Sequence, residues 1–346
     1  MNGQPLPVAV ADAARHGSYC PKLCTFACPV TTATGRDDAV PWSFHRTVSD
    51  LADGRLEPAD AASRLTACSG CLACQSPCLF DQDIPEQVVA ARSVARPRTD
   101  ASEAALRNLA AGRRPDGSST PSPVGDPHAD VVVLAGHEDP EASLQAAAAL
   151  FAAAGHSVAV VAPQGCCGAL ARAVGDTELA DGLAKGLIEL VGRARVVVAM
   201  DPHCLGELRA ALPEATVIDV VTALAEEVDR LSFRQAGRPI VWHDPCVLAR
   251  VDGVVDAPRR LLAVAGFSVV EPEHHGIETA CSGAGLAMPL LDPAAAAATA
   301  VRRAQQLAGT GADAVTSCHR AGALLTSVGH RTADLLQLLA DLLEDH

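Results

Sequence analysis

A run of four closely spaced cysteines constrains this chain more than any other feature of its sequence. The run Cys68-Ser-Gly-Cys71-Leu-Ala-Cys74-Gln-Ser-Pro-Cys78 has the spacing C-x₂-C-x₂-C-x₃-C. Gaps of two residues let consecutive thiolates close around one face of an iron–sulfur cubane, and a cysteine three residues further on typically binds a second cluster. Zinc also binds C-x₂-C pairs, but one zinc ion takes only four ligands. The spacing therefore predicts a [4Fe–4S] cluster on Cys68, Cys71 and Cys74.

Three further cysteines lie upstream, in Cys20-Pro-Lys-Leu-Cys24-Thr-Phe-Ala-Cys28-Pro. Cys28 with its following proline has the C-x₃-C-P ending of a ferredoxin motif. Ligand exchange between the clusters of a two-cluster ferredoxin assigns Cys28 to the first cluster and Cys78 to a second set with Cys20 and Cys24. That second set has only three cysteines. Either its fourth ligand is not cysteine (His16 is nearest in sequence), or its cluster has three irons, or the cluster is absent.

The whole chain has thirteen cysteines, seven between Cys20 and Cys78 and six between Cys166 and Cys318. The odd number, and an opening segment without the pattern of a secretory signal, argue against a disulfide framework, so we expect reduced thiols in the cytoplasm. Acidic residues exceed basic ones by 41 to 27, which is the opposite of what a nucleic-acid-binding protein needs. No apolar run approaches the length of a membrane span.

Residues 112–129 contain four prolines among Gly and Ser residues, which predicts a linker between domains. Before it, helices are predicted at Trp42–Leu51 and Pro58–Leu65. After it, β-branched runs alternate with Ala- and Leu-rich stretches of helical length, which predicts parallel sheets covered by helices. The predicted strands are Val131–Leu134, Ser157–Val161 and Val196–Ala199, then Ile240–Trp242, Phe267–Val270 and Ala314–Thr316.

The two rounds of strands and helices have similar sequences. Corresponding segments occur in the same order in each round, as in CCGA from Cys166 and CSGA from Cys281. A repeat of this length indicates two homologous α/β domains. We place them at residues 130–236 and 237–346.

The last six cysteines carry a family resemblance. They are Cys166, Cys167 and Cys204 in the first copy, and Cys246, Cys281 and Cys318 in the second. Their order resembles the cysteine-rich CCG domains of heterodisulfide reductase catalytic subunits, which are written C, then CCG, then C-x₂-C, and occur in tandem. A helical ferredoxin followed by tandem CCG domains is similar to the iron–sulfur subunits of glycolate oxidase, lactate-utilisation and anaerobic glycerol-phosphate dehydrogenase complexes. The resemblance implies a multidomain fold, with an N-terminal all-α helical ferredoxin at residues 1–111 and two tandem α/β CCG domains with small parallel sheets.

Both copies depart from the full CCG pattern. His137 stands where the leading cysteine of copy one is expected, and Ser282 and Ala321 replace two cysteines of copy two. Neither copy has the five cysteines of a non-cubane double cluster, so the resemblance does not carry disulfide-reducing chemistry to this chain.

The retained cysteines still form two candidate metal sites. We expect a cluster on Cys246, Cys281 and Cys318, completed by an unknown group. A poorer site combines Cys166, Cys167 and Cys204 with His137. Zinc is an alternative occupant, and buried cysteines that are only small hydrophobic side chains are the other alternative.

Asp-Pro pairs precede two of these cysteines. In Asp244-Pro-Cys246 and Asp201-Pro-His-Cys204, a capping carboxylate and a proline suit the start of a helix, with the thiol in the first turn. The positive end of the helix dipole favours the thiolate that a metal needs, so we expect lowered thiol pKa values. Both thiols follow predicted strands, which places them at the carboxyl edges of the sheets.

The resemblance implies an iron–sulfur electron-transfer subunit. Such a subunit would relay electrons between a flavin-containing dehydrogenase, acting on a 2-hydroxy acid or similar substrate, and a further acceptor. Other electron-transfer subunits are expected as partners, and peripheral contact with a membrane complex stays open. One alternative is a heterodisulfide reductase-like thiol–disulfide reductase with a CCG-bound cluster, and another is a non-redox metal-binding or assembly protein. No residue has the pattern of a general base or a hydride-accepting site, so no catalytic residue is assigned.

Overall fold

The N-terminal part of the chain is helical in a computed structural model, which describes residues 5–125, 129–191 and 194–344. Prolines occupy the first position of several helices, where a missing N–H breaks no hydrogen bond. The helices predicted at Trp42–Leu51 and Pro58–Leu65 are confirmed to within a residue or two. The helices here are α1 Val8–Ser18, α2 Cys24–Ala27, α3 Pro29–Thr34, α4 Pro41–Ala52, α5 Pro58–Arg64, α6 Ile84–Ala95 and α7 Asp100–Ala110, with a 3-10 turn at Asp37–Ala39.

The next part of the chain forms a four-stranded parallel sheet in the order β2-β1-β3-β4. Its strands are short and rich in valine, and helices connect them as parallel strands require. The elements are β1 Val131–Leu134, α8 Glu141–Ala153, β2 Val158–Val161, α9 Ala169–Val174, α10 Thr177–Val191, β3 Val196–Ala199, α11 Leu205–Ala211, β4 Thr216–Asp219 and α12 Val220–Glu226, with 3-10 turns at Pro202–Cys204 and Val228–Arg230.

The last part of the chain repeats this arrangement with the strand order β6-β5-β7-β8, again all parallel. The multidomain α/β layout expected from the repeat is therefore confirmed. The elements are β5 Pro239–Trp242, α13 Cys246–Val251, α14 Asp256–Val264, β6 Ser268–Val270, α15 Met288–Leu291, α16 Pro293–Ala308, β7 Asp313–Thr316, α17 His319–Ser327, β8 Thr332–Asp334 and α18 Leu335–Ala340, with a 3-10 turn at Gly276–Glu278.

Six of the strands are predicted from β-branched runs, but the edge strands β4 and β8 are not. Their sequences, TVID and TAD, are short and only partly buried and contain no continuous apolar run, whereas the other two edge strands, β2 and β6, do. The two edge strands end at corresponding aspartates, Asp219 and Asp334. Each of these aspartates also caps the helix that follows its strand.

The two sheet units pack through corresponding helices. α8 of the first unit lies on α18 of the second, and α12 of the first lies on α14 of the second. Because α8 and α14 follow the first strand of their sheets and α12 and α18 follow the last, the interface has approximate two-fold symmetry. One hydrophobic core therefore runs through both units, from Leu150 to Trp242. The helical part packs on this pair through α3 against α16 and α6 against α9.

The segment before the first sheet lies along its edge. Val124 pairs with Val160 through two antiparallel hydrogen bonds of 2.9 and 2.7 Å. Arg114 donates to the carbonyl of Asp139 at 2.9 Å. The part of the predicted linker at positions 126–128 lies outside the described residues.

Candidate metal centres

Four thiols line one cavity in the helical part: Cys28, Cys68, Cys71 and Cys74. Cys28 reaches the cavity because it ends α2 and begins α3, so the chain turns at that residue. Apolar side chains such as Phe44 complete the wall. This is the set that ligand exchange between two ferredoxin motifs predicts. Four soft sulfur donors around one cavity fit an iron–sulfur cluster.

The protonation state of the thiols in this cavity depends on whether a cationic group is bound among them. Burial raises the pKa of Cys68 to about 12, and burial likewise raises the pKa of Cys28. Contact with Cys281, followed by burial, raises the pKa of Cys71 well above its ordinary value. Because protonated thiols are poor metal ligands, these residues become thiolates only when a cationic group binds among them.

Arg92 holds the cavity loop in place. Its side chain is fully buried and donates to the carbonyls of Leu65, Thr66 and Cys68, at 2.8, 3.2 and 3.2 Å. It also donates to the carbonyls of Ala173 and Leu286, at 2.8 and 2.7 Å. One guanidinium thus joins the helical part to both sheet units. Burial lowers the pKa of Arg92 to about 10, and the Cys68 thiol opposes that shift. Nothing in the spacing of the sequence signalled this residue.

A second cavity is lined by Cys20, Cys24 and Cys78. Burial, and then the neighbouring Cys20 and Cys78, raise the pKa of Cys24 to about 11. Ile84 lines this cavity and also the first one, so the two cavities are adjacent. Two of the three thiols in this cavity are partly exposed, those of Cys20 and Cys78, whereas only Cys68 is partly exposed among the four of the first cavity. The second cavity is therefore the one nearer the surface, with three thiols as the spacing predicts.

Two cysteines of the second sheet unit lie against the first cavity. Cys71, Cys246 and Cys281 belong to one contact cluster. The Cys281 thiol donates to Ser69 Oγ at 3.2 Å and accepts from the backbone of Gly283 at 3.1 Å. Contact with Cys246 raises the pKa of Cys281 to about 12, with burial adding to it. Sequence reasoning did not anticipate this contact between the helical part and the second unit.

We expected Cys318 to share a site with Cys246 and Cys281. Those two residues instead pack with Cys71, and Cys318 is not part of that group of contacting side chains. The structure places Cys318 beside Asp201 and Arg320 instead. Burial, and then the Asp201 carboxylate, raise the pKa of Cys318 to about 12. It lies two residues after β7, which makes it the counterpart of Asp201 after β3. That cysteine is therefore at the interface with the first unit.

In the first unit, the four residues of the expected metal site, three cysteines and His137, do lie close together. Cys166 Sγ lies 3.1 Å from His137 Nδ1 and 3.9 Å from Cys167 Sγ, and Cys167 Sγ donates to Cys204 Sγ at 2.8 Å. All three thiols are buried and free. Across residues 5–125, 129–191 and 194–344, however, no three His, Cys, Asp or Glu side chains are arranged to hold a single metal ion.

The expected lowering of thiol pKa values at helix starts is wrong for Cys204. Asp201 does cap the short 3-10 turn, since it accepts from the backbone of His203 at 2.9 Å. A hydrogen bond from Cys167 lowers the pKa of Cys204, but burial outweighs it and raises that pKa to about 11. The 3-10 turn continues directly into α11, but the dipole of this helical segment does not offset the desolvation of a fully buried thiolate. In the second unit, Asp244 does not cap the helix that begins at Cys246.

Glycine is required after Cys166-Cys167 in the first unit and after Cys281-Ser282 in the second. Gly168 has φ +103° and Gly283 has φ +89°, a region that side chains disfavour. A Cβ on Gly168 would lie 2.8 Å from the carbonyl oxygen of Ala180, and one on Gly283 would lie 2.7 Å from that of Ala296. The shared glycine thus lets the cysteine loop pack directly on the backbone of a following helix.

Side chains of the second unit cover the thiols of the first. Arg320 donates to Asp201 at 3.0 Å and lies 3.1 Å from His137 Nε2. His319 bridges two carboxylates, with 2.6 Å to Asp139 and 2.8 Å to Asp334. These contacts close the first unit's cysteine site with residues from the other unit, which no local sequence pattern could indicate.

A cleft of about 720 Å³ lies between the helical part and the second unit. Its walls carry Arg250, Arg302 and Arg303, against one acidic side chain, Glu278. Cys281 lines the same cleft. Arg250 spans the boundary, since it donates to the carbonyls of Cys71 and Thr279.

Comparison with known families accounts for both sheet units. Residues 135–209 and 240–321 each match the model of CCG, a cysteine-rich domain. These two segments are CCG domains. The resemblance inferred from the cysteine order is thereby confirmed for these two segments.

The relatives of this chain are redox proteins. A probable membrane-anchored ferredoxin of Chromohalobacter salexigens is 32% identical over 141 residues, which is 36% of this chain and 21% of that protein. One subunit of the fumarate reductase (CoM/CoB) of Methanothermobacter marburgensis is 26% identical over 46% of this chain and 34% of its own length. One subunit of the dihydromethanophenazine:CoB–CoM heterodisulfide reductase of Methanosarcina mazei is 33% identical over 34% of this chain and 29% of its own length. These relatives support an iron–sulfur cofactor and a role in electron transfer.

The chain spans about a third or less of the length of these relatives. In the part of the chain that the structure describes, no helix combines the length and the apolar character that a bilayer span needs. A crystal structure of a hypothetical protein from Helicobacter pylori aligns with 99% of this chain and 80% of its own, with a TM-score of 0.59 at 10% identity. The two chains share a fold.

Proposed function

We propose that this chain is the iron–sulfur electron-transfer subunit of an oxidoreductase complex. It relays single electrons between a flavin-containing dehydrogenase, which oxidises a 2-hydroxy acid or a similar substrate, and a further acceptor. The helical part is a ferredoxin module with two [4Fe–4S] clusters. We call the cavity of Cys28, Cys68, Cys71 and Cys74 the inner cavity, and that of Cys20, Cys24 and Cys78 the outer cavity. When bound, the clusters supply the one-electron chemistry, while the chain binds them and excludes water from the inner one.

The observation that carries this proposal is the grouping of thiols. Cys28, Cys68, Cys71 and Cys74 share one cavity, and Cys20, Cys24 and Cys78 share the next. The four thiols of the first cavity are the number that a cubane cluster takes from a protein, and the second cavity supplies three of the four. Because Ile84 lines both cavities, electrons would cross between them through very few atoms.

The outer cavity has the surface that a transient redox partner would use. Leu79 is 73% exposed, and Phe80 and Leu23, which also line that cavity, are 44% and 42% exposed. Tyr19, next to Cys20, is 82% exposed. Exposed apolar groups around a redox centre favour docking of another protein. We therefore assign contact with the flavin-containing subunit to this face.

The inner cavity leads to the second CCG domain. Cys71 contacts Cys281, and Cys246 packs against the same group of side chains. A cluster on Cys71 would thus exchange electrons with any redox group held by these two thiols. The path runs from the exposed face, through two cavities, to the cleft beside Cys281.

Purification without oxygen tests the proposal. We expect brown protein that contains iron and acid-labile sulfide, an EPR signal after dithionite reduction, and rapid bleaching of its visible absorbance by photoreduced FMN. Cys74→Ser should lose the iron of the inner cluster, whereas the neighbouring Ser76→Ala should retain it. Colourless protein without inorganic sulfide would refute the relay, and zinc in its place would indicate the non-redox alternative.

The cleft beside Cys281 favours a second candidate function, that of a thiol–disulfide reductase. Three arginines around a thiol suit an anionic disulfide, which takes two electrons and two protons to give two thiols. The isolated chain would then reduce glutathione disulfide with reduced methyl viologen as donor. Activity that is lost in Cys281→Ser and kept in Cys204→Ser would support this candidate, and no activity in the wild type would refute it.

A further inference from the structure

The outer cavity lacks one ligand. A cubane cluster has four irons that need protein ligands, but only Cys20, Cys24 and Cys78 supply thiols here. His16, which is nearest in sequence, is not among the residues that line the cavity, and its ring packs edge-on against Phe80 at 4.3 Å between centroids. The missing ligand must therefore be sought among the residues that do line it.

His45 lines the same cavity, although it lies in another helix. Its side chain is only 2% exposed. The ring rests directly on Gly17, because a Cβ at Gly17 would lie 2.5 Å from Nε2. The Cys20 thiol donates to the carbonyl of the same Gly17 at 3.1 Å. The His45 ring and the Cys20 thiol therefore both contact Gly17, and a side chain at that position would collide with the ring.

A chain of amide hydrogen bonds determines which ring nitrogen carries the proton. The carbonyl of Phe80 can only accept, so Gln82 presents Nε2 to it, at 3.4 Å. Gln82 Oε1 then accepts from Gln87 Nε2 at 3.1 Å, which leaves Gln87 Oε1 to accept from His45 Nδ1 at 2.7 Å. The proton is thus on Nδ1, and Nε2 carries the lone pair. Nε2 makes no hydrogen bond to the described part of the chain.

A histidine that donates through Nδ1 to an oxygen and keeps Nε2 free has the arrangement of a metal ligand with an orienting partner. We propose that His45 Nε2 is the fourth ligand of the outer [4Fe–4S] cluster, with Cys20, Cys24 and Cys78. Gln87 acts as a positioning residue for the ring. This inference rests on the proposed function, since it requires that the outer cavity hold a cluster.

The ligand has a consequence for the direction of electron flow. A neutral imidazole in place of a thiolate makes the cluster less negative by one charge, and histidine ligation raises cluster potentials in other proteins. The outer cluster is therefore the easier of the two to reduce. Electrons delivered at the exposed face would therefore rest on the outer cluster before they pass to the inner one.

The test uses the full chain, purified without oxygen and labelled with ¹⁵N-histidine. Pulsed EPR of the reduced protein should show a ¹⁵N coupling on one of two clusters. His45→Cys should keep the iron of two clusters, lose this coupling and lower the potential of the outer cluster. His16→Ala should change none of these, and Gln87→Leu should keep the coupling but alter its size.

The inner cluster serves as the internal control for folding, because its EPR signal and potential should be the same in every variant. Coupling that persists in His45→Cys, or disappears in His16→Ala, would overturn the assignment. So would iron for one cluster only, or two clusters without nitrogen coupling, in the wild type. Protein without any iron would refute the proposed function itself, which is a separate outcome.

Discussion

Replacing Arg92 with methionine tests how this fold is held together. Methionine matches much of the length of arginine but donates no hydrogen bond. The substitution leaves five backbone carbonyls without their guanidinium donor, three in the cysteine loop and one in each CCG domain. Because Arg92 is fully buried, water cannot easily replace it.

Two opposing terms set the size of the effect. Hydrogen bonds to a charged donor contribute about 1.5–3 kcal/mol each. The buried guanidinium costs several kcal/mol in lost hydration, and methionine removes that cost. Each buried carbonyl left without a donor costs about 1–3 kcal/mol, and after the recovered hydration cost is subtracted we expect a net loss of about 3–5 kcal/mol. Arg98→Met is a matched control, since Arg98 donates to only two carbonyls and its side chain is 23% exposed. There we expect a loss of about 1 kcal/mol or less.

Urea unfolding in oxygen-free buffer measures the difference, with Trp42 reporting on the helical part and Trp242 on the shared core. With a slope of about 3 kcal/mol per molar urea, Arg92→Met should lower the midpoint by at least about 1 M. Both tryptophans should show the same change, because Arg92 contacts all three parts of the chain. A midpoint within about 0.3 M of that of Arg98→Met would refute the reasoning.

Three further predictions concern other parts of the structure. Gly168→Ala should lower Tm through a loss of about 1–3 kcal/mol, because its φ is +103°, whereas Gly186→Ala, in an open helical position, should raise Tm slightly. Although burial lowers the pKa of His319, two carboxylate partners raise it to about 10, above the unfolded value of 6.5. The protonated ring should therefore add no more than about 5 kcal/mol to the free energy of unfolding, in full below pH 6.5 and progressively less as the pH rises through 10. Urea titrations at several pH values should show this decrease in the wild type and not in His319→Gln. Cys281→Ser should change the EPR signal of the inner cluster and Cys318→Ser should not, and equal effects would contradict the contact of Cys281 with the cluster loop.

Much of the fold could be predicted because its signals are local. The valine-rich runs predict six of the strands, and prolines at helix starts help to predict Pro41–Ala52 and Pro58–Arg64. The edge strands at Thr216–Asp219 and Thr332–Asp334 could not be predicted in this way, since their short, partly exposed sequences carry no periodic apolar pattern.

The candidate sites, too, were predictable only where the signal is local in the sequence. Spacing alone predicts which thiols share a cavity in the helical part, since two-residue gaps restrict where neighbouring sulfurs can point. Spacing failed to place Cys318, because the loop after β7 brings it beside Asp201 of the first unit. It also pointed to His16, whereas the chain folds so that His45 lines the cavity.

The sequence by itself determined the chemistry of this protein: thiols at cluster spacing, a repeated α/β unit, and a glycine after each cysteine motif. Tertiary structure alone decided which distant groups meet, such as Cys71 with Cys281, His45 with Cys20, and Arg92 with carbonyls from three parts of the chain. The physical reason is that spacing restricts only neighbours in the chain. Contacts across domains depend instead on how helices pack, which is set by the burial of whole apolar faces.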